Sequence, residues 1–340
     1  MSVSSLIAGF LGVFALSLGL TGAVLRYARR RLLDVPNARS SHRVPTPRGG
    51  GLAIVLALLG GEVYWRLVVG EFAVGFAVLA GGVLVAAVGF WDDHGHLSAR
   101  WRLLAHLAAA ALAVASLPGD MPLRLGPVSL GSGAFADFIG VLVIAWMLNL
   151  FNFMDGIDGL AGLEVVSVGA GATLLLLLSL PSGGALPVAP GLLAAATLGF
   201  LAWNWPPAKI FMGDVGSGFV GYLLGCEAIA TAKAGTLGLA VWLILAGVFV
   251  VDASFTLVRR MTGGQRWYEA HRSHAYQHAA RRLGGHAPVD HRVLAINLLW
   301  LLPMAGFVVW NPALELPLLI LAYLPLLCLA IRLRAGQPEL

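Results

Sequence analysis

The stretch ADFIGVLVIAWMLNLFNFMDGIDGL (residues 136–160) decides how this chain is read. Its first part, to about residue 151, is an apolar run that reads as a helix crossing a bilayer, a crossing that takes about 17–25 residues. Its second part is polar. Asn149, Asn152, Asp155 and Asp158 recur every three residues, so on a helix they would share one face. Gly156 and Gly159 argue that the helix breaks there and that the backbone comes close to a ligand. A capping role accounts for one aspartate, but four oxygen-bearing side chains exceed what capping needs.

Four further polar clusters interrupt an otherwise apolar chain: residues 37–51 (NARSSHRVPTPRGGG), 91–102 (WDDHGHLSARWR), 204–218 (NWPPAKIFMGDVGSG) and 271–277 (HRSHAYQ). Of the 340 residues, 59% are hydrophobic and 11% charged. A soluble domain carries about 25% charged residues. The expected fold is therefore all-α, a polytopic transmembrane helical bundle forming one domain over residues 1–340. About eleven spans are expected, near residues 5–25, 48–69, 72–90, 102–118, 136–151, 160–180, 188–205, 216–231, 236–257, 291–309 and 313–331. The first run lacks a preceding basic segment and is followed by Arg26, Arg29, Arg30 and Arg31, the wrong polarity for a cleaved signal peptide.

With the amino end outside and the carboxyl end in the cytoplasm, only Arg66, Arg124 and Lys233 of the 22 Lys and Arg residues fall on the outer side. The positive-inside bias selects this orientation. It also accounts for the basic excess without nucleic acid. All five clusters then lie on the cytoplasmic face. Carboxylates, arginines and histidines are costly at a bilayer edge, and a site for a charged substrate explains them best. Cys226 and Cys328 both sit in apolar runs and read as small core residues.

Asp92 and Asp93 follow an apolar run and precede Arg100 and Arg102. Neighbouring carboxylates repel, so a nearby cation or metal is needed to keep both ionised. The pair also fits a solvated helix end. Asp214, flanked by Gly213 and Gly216, suits a hard divalent cation, because Mg²⁺ takes one or two protein oxygens and completes its shell with water and phosphate. A plain N-cap would coexist with that role. His271, Arg272 and His274 lack the third ligand and general-base Glu of a zinc protease site. They suit a diphosphate instead, as do Arg39, His42, Arg43 and Arg48 in a Pro- and Gly-rich loop that also fits anionic lipid. No P-loop or nucleophile elbow is present. The inventory supports metal-assisted phospho-group transfer onto a membrane-embedded acceptor.

Five motifs in order, RSSHxxPTPRGGG, DD, NxxNxxDGIDGL, FMGDxGS and the histidine loop, make the chain resemble the polyprenyl-phosphate N-acetylhexosamine-1-phosphate transferases. That superfamily includes phospho-N-acetylmuramoyl-pentapeptide transferase. The HRSHAYQ form resembles the bacterial branch that starts O-antigen and related glycans. The resemblance implies transfer from UDP-N-acetylhexosamine to undecaprenyl phosphate, with Mg²⁺ (or Mn²⁺), giving UMP and a lipid-diphosphate sugar. It implies Asp92 as the residue that deprotonates the lipid phosphate with Asp93 beside it, Asp214 at the metal with Asn152 near it, and Asp155, Asp158 and Asn204 on the nucleotide side. His271, Arg272 and His274 match the diphosphate or sugar loop. Phe249 stands where the family has proline, which leaves Asp252 open to a structural role.

Direct displacement and a covalent aspartyl intermediate both fit these residues. So do GlcNAc and its 6-deoxy relatives as the sugar, and a homodimer as the assembly. A muramoyl-pentapeptide transferase is the nearest rival. A transporter, whose polar groups would sit mid-bilayer in facing repeats, and a non-catalytic scaffold are the readings from other classes.

Overall fold

A computed structural model describes residues 3–36, 41–42, 44–70, 72–95, 97–117, 123–179, 188–265 and 271–337. In a bilayer each backbone N–H and C=O must be satisfied within its own segment, so apolar runs become helices. They are α1 (Val3–Arg31), α2 (Gly51–Val69), α3 (Phe76–His94), α4 (Ala99–Ser116), α5 (Gly133–Met154), α6 (Leu160–Ser179), α7 (Ala189–Asn204) and α8 (Asp214–Lys233). The chain continues through α9 (Leu239–Leu245), α10 (Gly247–Thr262), α11 (Ala275–Leu283) and α12 (Ala287–Ile296). A π-helical turn (Asn297–Leu301) then leads into α13 (Leu302–Trp310), and α14 (Glu315–Arg332) follows. Two short antiparallel pairs complete the described structure: β1 (Leu33–Asp34) with β2 (Thr46–Pro47), and β3 (Leu123–Leu125) with β4 (Val128–Gly131).

The all-α bundle is as expected, and the eleven expected spans fall on helical segments, with 236–257 divided between α9 and α10 and 291–309 running through α12, the π-helical turn and α13. Length and composition support fewer crossings. Among the described residues eight segments qualify, and α9 with α10 makes a ninth if that pair, bent by 84°, counts as one. The sixteen residues of α7 are short for a span. Arg100, Arg102 and His106 dilute the apolar character of α4.

The helix α8 runs through the centre, its apolar window 83% buried, whereas α1 and α14 are only 22% buried and offer apolar side chains to lipid. Close packing around α8 relies on missing side chains. A Cβ on Gly51 would fall 2.2 Å from the Gly216 Cα, and one on Gly89 would fall 2.3 Å from the Asp214 carbonyl oxygen. These two contacts press the start of α2 and the end of α3 against the first turn of α8. Backbone bonds tie the same region: Phe211 N donates to Pro47 O at 2.8 Å, Gly50 N to Phe211 O and Gly51 N to Met212 O, both at 2.9 Å. The ends of α3, α5 and α7 and the starts of α2, α4, α6, α8 and α12 thus gather at one end of the bundle.

Candidate active site

A cavity of about 290 Å³ opens at that end. Its lining includes Arg48, Asp93, Asn152, Asp155, Asp158, Asn204 and Asp214, together with His42 and Gln277, and so draws on all five clusters. Three chain breaks build it: the end of α5, the Gly156–Gly159 turn before α6, and the entry into α8.

The adjacent aspartates at the end of α3 face different partners. Asp93 is buried, and its carboxylate accepts the Asp214 and Val215 N–H groups, both at 3.2 Å, so it caps α8 from another helix. Arg48 stands by, its Nε 3.7 Å from Asp93 Oδ1 and its Nη2 donating to the Asp93 carbonyl. Asp92 instead accepts the Leu97 N–H at 2.7 Å and pairs through Oδ2 with Arg102 Nη1. That Arg102 nitrogen also lies 3.3 Å from Asp214 Oδ2. On the opposite side Asn152 Nδ2 donates to Asp214 Oδ1 at 2.9 Å and to Ser217 Oγ at 3.0 Å.

The polar stripe expected on one helical face does not persist. The helix α5 ends at Met154, Asp155 occupies its C-cap, and Asn149 turns back to donate to Ala145 O at 2.7 Å. The glycines do break the helix. Gly159 adopts φ +80°, and a Cβ there would meet Asp290 Oδ2 at 2.7 Å. Asp158 accepts the Ala208 N–H at 3.0 Å and lies 3.3 Å from His286 Nδ1. These contacts hold its carboxyl below the usual range against the opposing effect of burial. Asp155 behaves in the opposite way: burial first, then the charges of Asp214, Asp93 and Asp158, push its carboxyl up to about 7. Asn204, buried, spends both ends of its amide on backbone, accepting Gly159 N–H at 3.0 Å and donating to Ile210 O at 2.9 Å. It staples the Gly156–Gly159 turn to the segment before α8.

The histidine loop meets the site edge-on. His274 is buried, its Nδ1 3.2 Å from Asp252 Oδ1, and Asp252 also accepts the N–H groups of Ala275 (2.9 Å) and Tyr276 (3.0 Å). Asp252 therefore caps α11 and has the structural role that the sequence left open. His271 stacks on His274 with ring centroids 4.9 Å apart, and burial, aided by His274 and Arg260, pushes its pKa down to about 4. It stands as a neutral hydrogen-bonding ring at pH 7. Arg272 lends its carbonyl to Arg281 Nη2 at 3.2 Å. None of His271, Arg272 and His274 is among the cavity-lining residues, but Gln277 from the same loop is. His42 lines the cavity, packed edge-on against Phe211 at 4.9 Å. Arg39 and Arg43 lie outside the described residues.

Sequence reasoning missed Gln277, Ser41, His286 and Ser217 as contributors. Ser41 Oγ donates to Gly156 O at 2.6 Å, across a separation that no local pattern reveals.

Among the described residues no three His, Cys, Asp or Glu side chains form a ready metal cage. The donor set fits Mg²⁺ better than zinc, since it offers hard oxygens from one or two carboxylates and leaves room for water and phosphate. Burial, and then the charges of Asp214, Asp93 and Asp158, raise Asp155, so added positive charge at this end of the cavity would favour its ionised form.

Comparison with known proteins agrees with this geometry. The family glycosyl transferase family 4 matches residues 75–232, the segment that holds Asp92 through Asp214. A probable undecaprenyl-phosphate N-acetylglucosaminyl 1-phosphate transferase of Bacillus subtilis is 31% identical over 274 residues, covering 78% of this chain and 70% of that protein. The chain belongs to the polyprenyl-phosphate hexosamine-1-phosphate transferase superfamily. A member of this superfamily is a sugar-phosphate transferase, so the chain is an enzyme. Within the superfamily it is also similar to the decaprenyl-phosphate N-acetylglucosaminephosphotransferase of Mycobacterium tuberculosis, 29% identical across 83% of this chain and 78% of that one. The phospho-N-acetylmuramoyl-pentapeptide-transferase of Rhodopseudomonas palustris is 32% identical across 66% and 69%.

Proposed function

We propose that this transferase moves N-acetylhexosamine-1-phosphate from a UDP-sugar to undecaprenyl phosphate, giving undecaprenyl-diphosphate-sugar and UMP, at the start of O-antigen or related surface-glycan synthesis. The observation that carries this reading is the meeting of Asp92, Asp93, Asn152, Asp155 and Asp214 with Arg48 and Arg102 around one cavity edge. Carboxylates for a cation beside guanidiniums for phosphates, at one end of a membrane bundle, match a diphosphate donor and a lipid phosphate acceptor. The similarity to enzymes named for undecaprenyl and decaprenyl phosphate supports the acceptor class.

An oxygen of the lipid phosphate forms a bond to the β-phosphorus of the donor, the bond from that phosphorus to the bridging oxygen breaks, and UMP departs with the electron pair. Asp214, with Asn152 beside it, would hold Mg²⁺, which supplies neutralisation of the diphosphate charge. Arg48 and His42 face the cavity from the start of the chain and bind phosphate oxygens. Asp155 and Asp158 shape the nucleotide end. Direct displacement is favoured over an aspartyl intermediate because both oxygens of Asp92 are already engaged, by the Leu97 N–H and by Arg102. A carboxylate held in that way is a poor nucleophile and a modest base. The excess of Arg and Lys on the same face supports a site on the cytoplasmic side of a bacterial inner membrane, with the amino terminus outside.

The test is direct. Detergent-purified protein with undecaprenyl phosphate and Mg²⁺ is offered single UDP-N-acetylhexosamines and UDP-muramoyl-pentapeptide, and UMP and lipid product are followed. Product from one UDP-N-acetylhexosamine, lost in Asp214→Ala, supports the reading. Turnover of the pentapeptide donor alone would move the chain to peptidoglycan synthesis.

A further inference from the structure

Both carboxylate oxygens of Asp214 already have donors. Asn152 Nδ2 holds Oδ1 at 2.9 Å, and Arg102 Nη1 lies 3.3 Å from Oδ2. A carboxylate oxygen carries two lone pairs and can keep a donor while it ligates a cation, so a cation on Asp214 disfavours the charged neighbour more than the neutral amide. Asn152 has a short side chain on the last turn of α5, and its Nδ2 is held a second time by Ser217 Oγ at 3.0 Å. Arg102 has a long stem in the first turn of α4, and its side chain is 36% exposed. A guanidinium and a divalent ion on the same oxygen would also repel strongly in this half-buried setting. Arg102 can withdraw without losing all its contacts, because the same nitrogen also pairs with Asp92 Oδ2.

We propose that Arg102 is a displaceable counter-ion: it bridges Asp92 and Asp214 in the metal-free enzyme and gives up Asp214 when the divalent ion loads. The inference rests on the reading of Asp214 as a metal ligand. Arg102 is in this sense a positioning residue. It keeps two like charges together when no ion is bound and competes with the ion that replaces it.

The experiment is Mn²⁺ binding to the full-length purified protein, read by the electron paramagnetic resonance of free Mn²⁺, with and without UDP. Asp214→Asn identifies the Asp214-dependent fraction. Arg102→Met is expected to tighten that fraction by roughly tenfold, since a competing positive charge has gone. A merely structural arginine predicts the opposite sign, so unchanged or weaker binding overturns the inference while leaving the metal reading intact. If Arg102→Met does not fold, Arg102→Gln serves. Its amide is neutral and can still donate to Asp92, so tighter binding is again expected and unchanged or weaker binding again overturns. No Asp214-dependent Mn²⁺ in wild type or variant, with or without UDP, overturns the metal reading and the inference together.

Discussion

Asp93 holds Asp214 in place through the backbone: its Oδ1 accepts the Asp214 N–H at 3.2 Å while Oδ2 takes the next N–H, that of Val215, at the same distance. Two adjacent aspartates have therefore separated into different tasks. Asp93 satisfies free donors at the start of α8, and Asp92 pairs with Arg102 at the cavity's edge. Asp93→Ala is expected to cost about 1–3 kcal/mol by orphaning buried donors, and to lower activity by loosening Asp214. Asp92→Asn is expected to lower turnover with little change in melting temperature. Thermal unfolding and UMP release on both variants check the division. Equal melting shifts would contradict it.

Glycines set how closely the helices meet at the site. Gly89→Ala would place a Cβ 2.3 Å from the Asp214 carbonyl oxygen, so α3 and α8 must part. We expect a loss of at least about 1–3 kcal/mol and of most activity. Gly12→Ala, with nothing within 4 Å, is the matched control and is expected to behave as wild type. A tolerated Gly89→Ala would mean that the α3–α8 contact is looser than described.

Asp155 carries a pH signature. Its carboxyl is pushed up to about 7, so between roughly pH 4 and pH 7 the folded chain keeps a proton that the unfolded chain releases. Its contribution to stability therefore falls as pH rises through that interval and levels off above it. Asp155→Asn is expected to raise the melting temperature of metal-free protein at pH 8 and to change it little at pH 5. The same shift at both pH values would count against a carboxyl raised by burial and neighbouring charge at this turn.

Chelation gives a further check on the cation. With EDTA, UMP release is expected to stop, and Mg²⁺ or Mn²⁺ to restore it. Asp214→Ala is expected to stay inactive at any Mg²⁺ concentration. Full activity in excess EDTA would remove the ion from the mechanism.

The legible part of the fold was what depends on composition along the chain. Apolar runs between polar clusters placed the helices, and the helix break at Gly156 and Gly159 was visible because glycine lowers the cost of leaving the helical path. The 84° bend between α9 and α10 was not, since residues 236–257 read as one continuous apolar run. The β3–β4 pair also escaped notice, because its few residues lack a long alternating pattern.

The site divides along the same line. The sequence by itself determined which side chains were available: Asp92, Asn152, Asp155 and Asp214 stood out because polar groups at the ends of apolar spans need a reason to be there. Only the tertiary structure decided what each does. It turned Asp93 and Asp252 into caps for helices remote in sequence, made Asn204 a backbone staple, and set Arg102 between Asp92 and Asp214. The physical reason is range. Hydropathy is a property of neighbours along the chain, whereas a hydrogen bond is decided within about 3 Å in space. Contacts such as Arg102 with Asp214, 112 residues apart, exist only after the helices have packed.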